Sequence, residues 1–478
     1  MSVVTAPGGG RRVPAVLLGA ALALAGLSLL APSSPSYDPY AWIVWGRELV
    51  TPSQSFGLAG GPSWKPLPVL FTGPFSLAGS AAPALWLLVA RTGLLLALAG
   101  GYSLGARLGT RWAGVVAVIG LLLLQSIVGL ALRGASEPLL LACVLWAVER
   151  HLAGRRGSAF ALGVAAALIR PEAFPFLLAY ALWCWRSAET RERCLIVGGL
   201  ALVPALWLGP PALVGDPFSA STHAANYEGH TGADPAWTAL RRGLGLAVAP
   251  VWILAVAAVA LRPRDRVVRA GALGASAWLA LVAAMTVAGY PGLDRFMLPA
   301  AAVACVLAGV GAVELVRRAG SRPATALVAV VALVAAATAF GATSAATLGD
   351  QVREATSLAR MQRQLTSAIA VAGGRDAVLS CGVVATNHTA QTALAWKLRV
   401  RLDRVAVQLR AGGLVFRGPW SPELGAPTPV QIPGVRRRTV VARAGVWQVL
   451  AFSSVAAPLP HGCHVGRPGA PTRSVIAR

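Results

Sequence analysis

The sequence has few acids, almost no lysine and little charge of any kind. Eighteen Asp and Glu stand against 42 Lys and Arg, and only 13% of the 478 residues are charged. Of the basic residues only Lys65 and Lys397 are lysines. So little charge beside 56% hydrophobic residues excludes an ordinary soluble globular protein. No Walker loop, Rossmann glycine pattern or nucleophile elbow stands out, which disfavours a nucleotide sugar bound on the cytoplasmic side. The six cysteines form no paired ligand motif. Cys143, Cys184, Cys194 and Cys305 fall in or beside apolar segments, where small buried thiols are ordinary. There is no internal repeat of the kind a two-halved transporter carries.

What is present is a series of long apolar runs between Val13 and Phe340. A hydrocarbon core of ~30 Å needs about twenty such residues, so the chain reads as a polytopic membrane protein. The runs are Val13–Ala31, Pro83–Leu104, Trp112–Leu132, Leu139–Val148, Ser158–Ile169, Ala173–Trp185, Cys194–Val214, Gly243–Leu261, Ala270–Ala288, Phe296–Val316 and Ala324–Phe340. That predicts about eleven transmembrane helices, of which Leu139–Val148 and Ser158–Ile169 are short. The net charge of +24 would suggest nucleic acid, but much of it lies in short loops between the runs, where it sets orientation. With Arg11 and Arg12 inside, every dense Arg cluster falls on the cytoplasmic side. The expected partners are therefore membrane lipids and no nucleic acid. The first run reads as a retained anchor with a cytoplasmic N-terminus, because LLAPSSPSYDP is a weak cleavage site. Arg over Lys, with abundant Ala, Gly and Pro, suggests a GC-rich bacterial genome and hence a bacterial plasma membrane.

An odd number of crossings divides the chain into a transmembrane domain, 1–343, and an extracytoplasmic C-terminal domain, 344–478. The latter carries 17 basic and 5 acidic residues, suited to an anionic envelope surface or simply solvated. A helical pattern, Leu348–Val371, precedes strand-like runs at Ala377–Leu379, Val405–Leu409, Leu414–Phe416, Thr439–Val441 and Val446–Phe452. With a helix over Thr389–Leu398, the expectation is a small α/β or α+β domain. Cys381 and Cys463 both lie in it and could pair in an oxidising compartment.

Ionisable groups other than the inner arginines concentrate on the outer face, on helix ends where charge is costly and invites a functional reading. The loop Ser36–Pro68 holds Asp38 among aromatics, the pair Arg47 and Glu48, and Lys65 before Pro-Leu-Pro. Sites at helix ends on one leaflet suit a substrate that is half lipid. Simpler readings exist for each residue. Asp38 before Pro39 could be a helix N-cap. Lys65 and Arg170 could snorkel, Glu137 could be a first-turn acid, and Arg295 could pair with Asp294. Trp42, Trp45, Trp64 and Trp86 read as an interfacial belt.

In order along the chain, YDPYAW with Asp38, SWKPLP with Lys65–Pro68, SEP with Glu137–Pro138, IRPE with Arg170–Glu172 and Arg295–Phe296–Met297–Leu298–Pro299 resemble the motifs of the GT-C fold glycosyltransferases. These are the polyprenyl-phosphate-sugar-dependent enzymes that include protein O-mannosyltransferases and the lipid A aminoarabinose transferase. The resemblance covers about Val13 to Phe340. One Pro of the lysine motif is displaced, and Glu137 stands where Asp is commoner. The resemblance implies transfer of a sugar from a polyprenyl-phosphate donor to a cell-envelope glycan, lipid or protein hydroxyl, with inversion. It implies Asp38 as general base, with Glu137 holding the acceptor or orienting Asp38. Lys65 and Arg295 are implied as the phosphate clamp, with Arg170 as a third donor-phosphate-binding residue.

Three rivals remain. A lipid-linked glycan polymerase or ligase would place its essential residues in the loop Gly215–Arg242. A transporter would place polar groups inside the spans, where Gln125 and Ser126 are the main ones read from the sequence. A scaffold would work through its tail alone. His223 and His230 with Glu228 and Asp234 fit no zinc template, nor do His461 and His464 around Cys463. A divalent metal is thus unsupported, and no cofactor is required by anything in the sequence.

Overall fold

The computed structural model describes residues 12–51, 56–58, 60–219, 221–222, 234–320, 323–418, 437–453, 458–463 and 465. Each expected span is mostly helix, two of them, Trp112–Leu132 and Gly243–Leu261, being interrupted. In chain order the helices are α1 (Arg12–Ser28), α2 (Tyr37–Val50), α3 (Pro66–Ser76), α4 (Ala82–Leu108), α5 (Arg111–Leu122), α6 (Ile127–Leu132), α7 (Glu137–Leu152), α8 (Arg156–Ile169), α9 (Phe174–Trp185) and α10 (Thr190–Ala212). They continue with α11 (Pro235–Gly245), α12 (Ala249–Leu261), α13 (Arg266–Val287), α14 (Leu298–Ala319) and α15 (Pro323–Val371). Among the described residues, four segments are long and apolar enough to cross a membrane: Gly79–Leu108, Thr190–Ala212, Arg266–Val287 and Asp294–Ala319. A fifth forms if α11 and α12, bent by 93° at their break, count as one. Length and composition therefore support a polytopic architecture without fixing eleven crossings.

The run Trp112–Leu132, expected as one span, is two helices. Helix α5 ends at Leu122, Ser126 adopts φ +64° as the N-cap of α6, and the Gln125 N–H donates to Leu246 O at 2.8 Å, in the break between α11 and α12. Two interrupted segments thus satisfy each other's backbone, as non-helical chain at membrane depth must. The interior of the spans is also more polar than expected. Arg91, in the middle of α4, is buried and donates to Ser28 Oγ at 2.9 Å. Helix α14 is the central one, with 89% of its apolar window buried. Small residues allow this. A Cβ on Gly309 would lie 2.1 Å from Ala113 O, and one on Gly311 2.0 Å from Leu254 O. Backbones approach that closely only where there is no side chain.

The C-terminal region, expected outside the membrane and called the outer domain on that expectation, has its own core. Helix α15 runs unbroken across residue 343 into α16 (Gly374–Ser380), followed by β1 (Val383–Thr386), α17 (His388–Leu398), β2 (Val405–Ala406), β3 (Gly413–Arg417), β4 (Arg437–Ala444) and β5 (Trp447–Ser453). The sheet order is β2-β1-β3-β5-β4. β1 pairs parallel with β2 and β3, Val384 lying opposite Val405 and Leu414. β5 pairs antiparallel with β3 and β4, Leu450 facing Val415 and Val440. This is an α+β unit, as expected. Ala377–Leu379, however, is helix rather than strand, since only Val378 of the three is buried and one turn accomplishes that. β1 escaped the sequence reading. Cys381 and Cys463 form a disulfide.

Helix α2 belongs to this second core. Tyr40, Trp42, Trp45, Trp64 and Trp86 pack in one cluster with Leu365, Leu394, Leu402, Phe416 and Trp447. The four tryptophans expected as an interfacial belt are at most 3% exposed. Trp42 meets Trp86 edge-on at 5.4 Å, and Trp45 tilts against Trp64 at 5.7 Å. They bind the outer domain to the helix ends instead of facing lipid.

Candidate active site

Proline sets the positions of the charged groups. Asp38, Lys65, Glu137 and Arg170 each immediately precede a proline. A residue before proline is driven to extended backbone, and Lys65 (φ −138°, ψ 113°) and Arg170 (φ −142°, ψ 124°) are extended at the starts of their helical segments. Pro39 and Pro138 sit in the first turns of α2 and α7, where a missing N–H breaks no helical bond. Arg295 lies in the 3-10 turn Asp294–Met297 that leads into α14.

These five side chains meet. Arg170 Nη2 donates to Glu137 Oε1 at 2.6 Å and its Nη1 to Glu172 Oε1 at 3.3 Å. Lys65 Nζ donates to Ser136 Oγ at 3.0 Å and lies 3.9 Å from Glu137 Oε1. The Arg295 guanidinium is 3.9 Å from Glu137 Oε1 and 3.4 Å from Asp38 Oδ2. Tyr290 donates to Glu172 Oε1 at 3.3 Å. Glu137 is the hub, and Asp38 lies at the rim.

Glu137 is a first-turn acid of α7, as the simpler reading has it, but the other simple readings do not hold. Ser36, not Asp38, is the N-cap of α2, and no side-chain cap bond forms there. Lys65 is buried beneath Trp42, 5.1 Å from its ring, rather than snorkelling. Asp294 accepts from the Arg295 backbone N–H at 2.7 Å, while the Arg295 guanidinium turns to Asp38 and Glu137. Arg170 stacks on Phe296, 4.0 Å from the ring centre. Burial pushes the Lys65 ammonium down to about 8 despite the pull of Glu137. For Arg170 burial acts in the same sense, but Glu172 and Glu137 outweigh it and hold its proton above the ordinary range.

A cavity of about 290 Å³ opens beside Asp38. Asp38, Arg133 and Arg295 line it from the membrane side, and Leu358, Gln362 and Thr389 from α15 and α17. The residues supplied by the outer domain carry no motif, and the sequence reading missed them. Arg47 and Glu48 do not join the site. Arg47 donates to Val400 O at 2.7 Å, fastening α2 to the outer domain, and Glu48 accepts from the Gly57 N–H at 3.1 Å, holding the loop that follows α2. Burial pushes Glu48 up to about 7. His223, Glu228, His230 and His464 lie outside the described residues. Among the described residues no group of three or more His, Cys, Asp or Glu is placed to hold a metal ion.

No family profile matches the chain, and no curated protein matches it in sequence. Solved structures do. ArnT from Cupriavidus metallidurans bound to undecaprenyl phosphate superposes with a TM-score of 0.53 at 16% identity, over 94% of this chain and 99% of that one. The fold is GT-C. The apo state of the same ArnT matches equally, at TM-score 0.53 and 15% identity, over 93% and 98%. The Archaeoglobus fulgidus oligosaccharyltransferase tethered with an acceptor peptide matches more loosely, at TM-score 0.40 and 16% identity over 72% of this chain and 55% of that one. The ArnT match extends the GT-C likeness past Phe340, where the sequence resemblance stopped, into the outer domain.

Proposed function

We propose that the chain is a membrane glycosyltransferase that moves a sugar from a polyprenyl-phosphate donor to a hydroxyl of a cell-envelope acceptor. The observation that carries this reading is the convergence of Asp38, Lys65, Glu137 and Arg295 beside a cavity at the helix ends. Asp38 takes the proton of the acceptor hydroxyl as its oxygen attacks the anomeric carbon. The bond from that carbon to the phosphate breaks on the opposite face, inverting the centre. The phosphate leaves with an added negative charge, which Lys65 and Arg295 stabilise in a site largely closed to water. Lys65 has three N–H donors and gives one to Ser136, so it retains donors for phosphate oxygens. Arg170, expected on the donor phosphate, has both terminal nitrogens on carboxylates and in this reading acts instead as a positioning residue by fixing Glu137.

The undecaprenyl phosphate bound by ArnT is a lipid of the donor class proposed here. In this reading the chain crosses a bacterial plasma membrane eleven times, with the cavity and the residue 344–478 domain outside. The Cys381–Cys463 disulfide suits that oxidising side. The decisive assay gives the purified protein in lipid labelled polyprenyl-phosphate mannose, arabinose and glucose with envelope extract. Label transfer by wild type, lost in Asp38→Asn and Lys65→Ala at equal expression, supports the reading. Undiminished transfer by Asp38→Asn overturns it.

A further inference from the structure

The cavity beside Asp38 contains an amide that the chemistry above does not use. Gln362, from the outer half of α15, lines it and is only 5% exposed. Its Oε1 has no hydrogen-bond partner among the described residues. A buried acceptor left unpaired costs about 1–3 kcal/mol, so such a group beside a cavity calls for a partner from whatever fills it. Thr389, on α17, lines the same space, and its hydroxyl reaches Asn387 Oδ1 at 3.4 Å.

The lining also restricts the occupant. Leu130 and Leu358 supply apolar surface, while Gln362, Thr389 and Asp38 supply hydrogen-bonding groups. The two arginines in the wall are each engaged by a carboxylate, Arg133 with Glu354 at 2.7 Å and Arg295 with Asp38 at 3.4 Å. With Arg133 paired and Arg295 turned to Asp38 and the donor phosphate, this wall does not favour a second anion. The volume is near the lower limit of ~300 Å³ for ligand pockets, room for one ring rather than a lipid tail or a folded peptide segment. A sugar ring has this character, with an apolar C–H face and a rim of hydroxyls.

We propose that this cavity is the acceptor subsite, that its occupant is a sugar unit of a glycan, and that Gln362 Oε1 accepts a hydrogen bond from one of its hydroxyls. The inference rests on the glycosyltransferase reading and adds the acceptor class. Thr389 bonds a second hydroxyl, so the outer domain selects the acceptor while Lys65 and Arg295 meet the donor.

The test uses the full chain in lipid nanodiscs. Saturation-transfer NMR measures binding of methyl α-mannopyranoside, methyl α-glucopyranoside and methyl α-arabinofuranoside, with acetyl-Ala-Ser-Ala-amide as the peptide alternative. In parallel, hydrolysis of labelled polyprenyl-phosphate mannose, arabinose and glucose is followed without acceptor. At least one glycoside should bind wild type, and bind Gln362→Leu about five- to ten-fold more weakly, as expected for one lost hydrogen bond. Thr389→Val should weaken it less, and both variants should hydrolyse the donor at the wild-type rate. Absence of glycoside binding, preference for the peptide, or unaltered affinity in both variants overturns the subsite. So does a matching fall in donor hydrolysis, which would show Gln362 to be structural. If Gln362→Leu does not fold, the Thr389→Val affinity decides. Failure of the underlying reading looks different: glycoside binding persists, but donor hydrolysis does not depend on Asp38.

Discussion

Glu137 and Glu314 are both buried glutamates among three cations, near opposite ends of the segment that contains α14. Glu314 pairs with Arg262 at 3.3 Å, Arg317 at 2.8 Å and Arg318 at 3.0 Å. Glu137 gathers Lys65, Arg170 and Arg295. The two clusters differ in what surrounds their cations. The Arg317 and Arg318 side chains are 71% and 54% exposed, and Arg262 also donates to Leu108 O at 2.6 Å. Arginines at that end cap the helix termini of α4 and α12 and staple loops in water. At the other end Lys65 and Arg170 are buried, with Trp42 and Phe296 against them. Like charges in like number therefore produce a clamp for loops in one place and a field directed at a cavity in the other. Access of water decides which, because screening removes most of the field at an exposed pair.

Removing the proposed base should affect the outer cluster most. Asp38→Asn is expected to lower transfer by ~10²–10⁴-fold at unchanged thermal stability, measured with labelled donor. Lys65→Ala should lower kcat by ~10²–10³-fold, the scale of losing one preorganised charge-stabilising donor. The ammonium is the form proposed to bind phosphate, and burial lowers it to about 8, so wild-type kcat/KM should fall as pH rises through about 8. Activity that survives in Lys65→Arg should lack that alkaline limb, because a guanidinium stays protonated. At the inner cluster Glu314→Gln should leave transfer within about two-fold of wild type. It should lower stability by ~1–3 kcal/mol, read from melting in detergent, as a buried hydrogen-bonded acceptor is lost. The smallest effect is expected from Arg317→Ala, below ~1 kcal/mol because that pair is solvated. A large loss of activity in Glu314→Gln would break the comparison.

The charged site was readable because its residues are tied to local backbone devices. Asp38, Lys65, Glu137 and Arg170 precede proline, and Arg295 begins a pattern that reaches Pro299 four residues on, so each could be placed at a helix start from the chain alone. The tryptophans misled because an aromatic beside an apolar run looks the same whether it meets lipid or a folded domain. Arg91 was passed over inside its apolar run, where a single charge hardly alters the hydropathy. Gln362 and Thr389 carried no signal, since their placement depends on how an α+β unit far along the chain docks onto α2. The break at Ser126 was equally hidden, because its partner carbonyl at Leu246 is distant in sequence.

Helix α15 has 49 residues, a contour of roughly 73 Å at 1.5 Å per residue, more than twice a ~30 Å hydrocarbon core. It begins among the last apolar residues and carries Gln362 near its far end. One rod therefore fixes both the axial position and the angular phase of the cavity's α15 wall. An inserted residue between 347 and 357 would turn Gln362 by about 100° and raise it ~1.5 Å, whereas seven inserted residues would nearly restore its direction ~10 Å too high. Point substitutions on the exposed side of this rod are tolerable in a way that changes of length are not. Where Gln362 meets the cavity is thus set by counting residues.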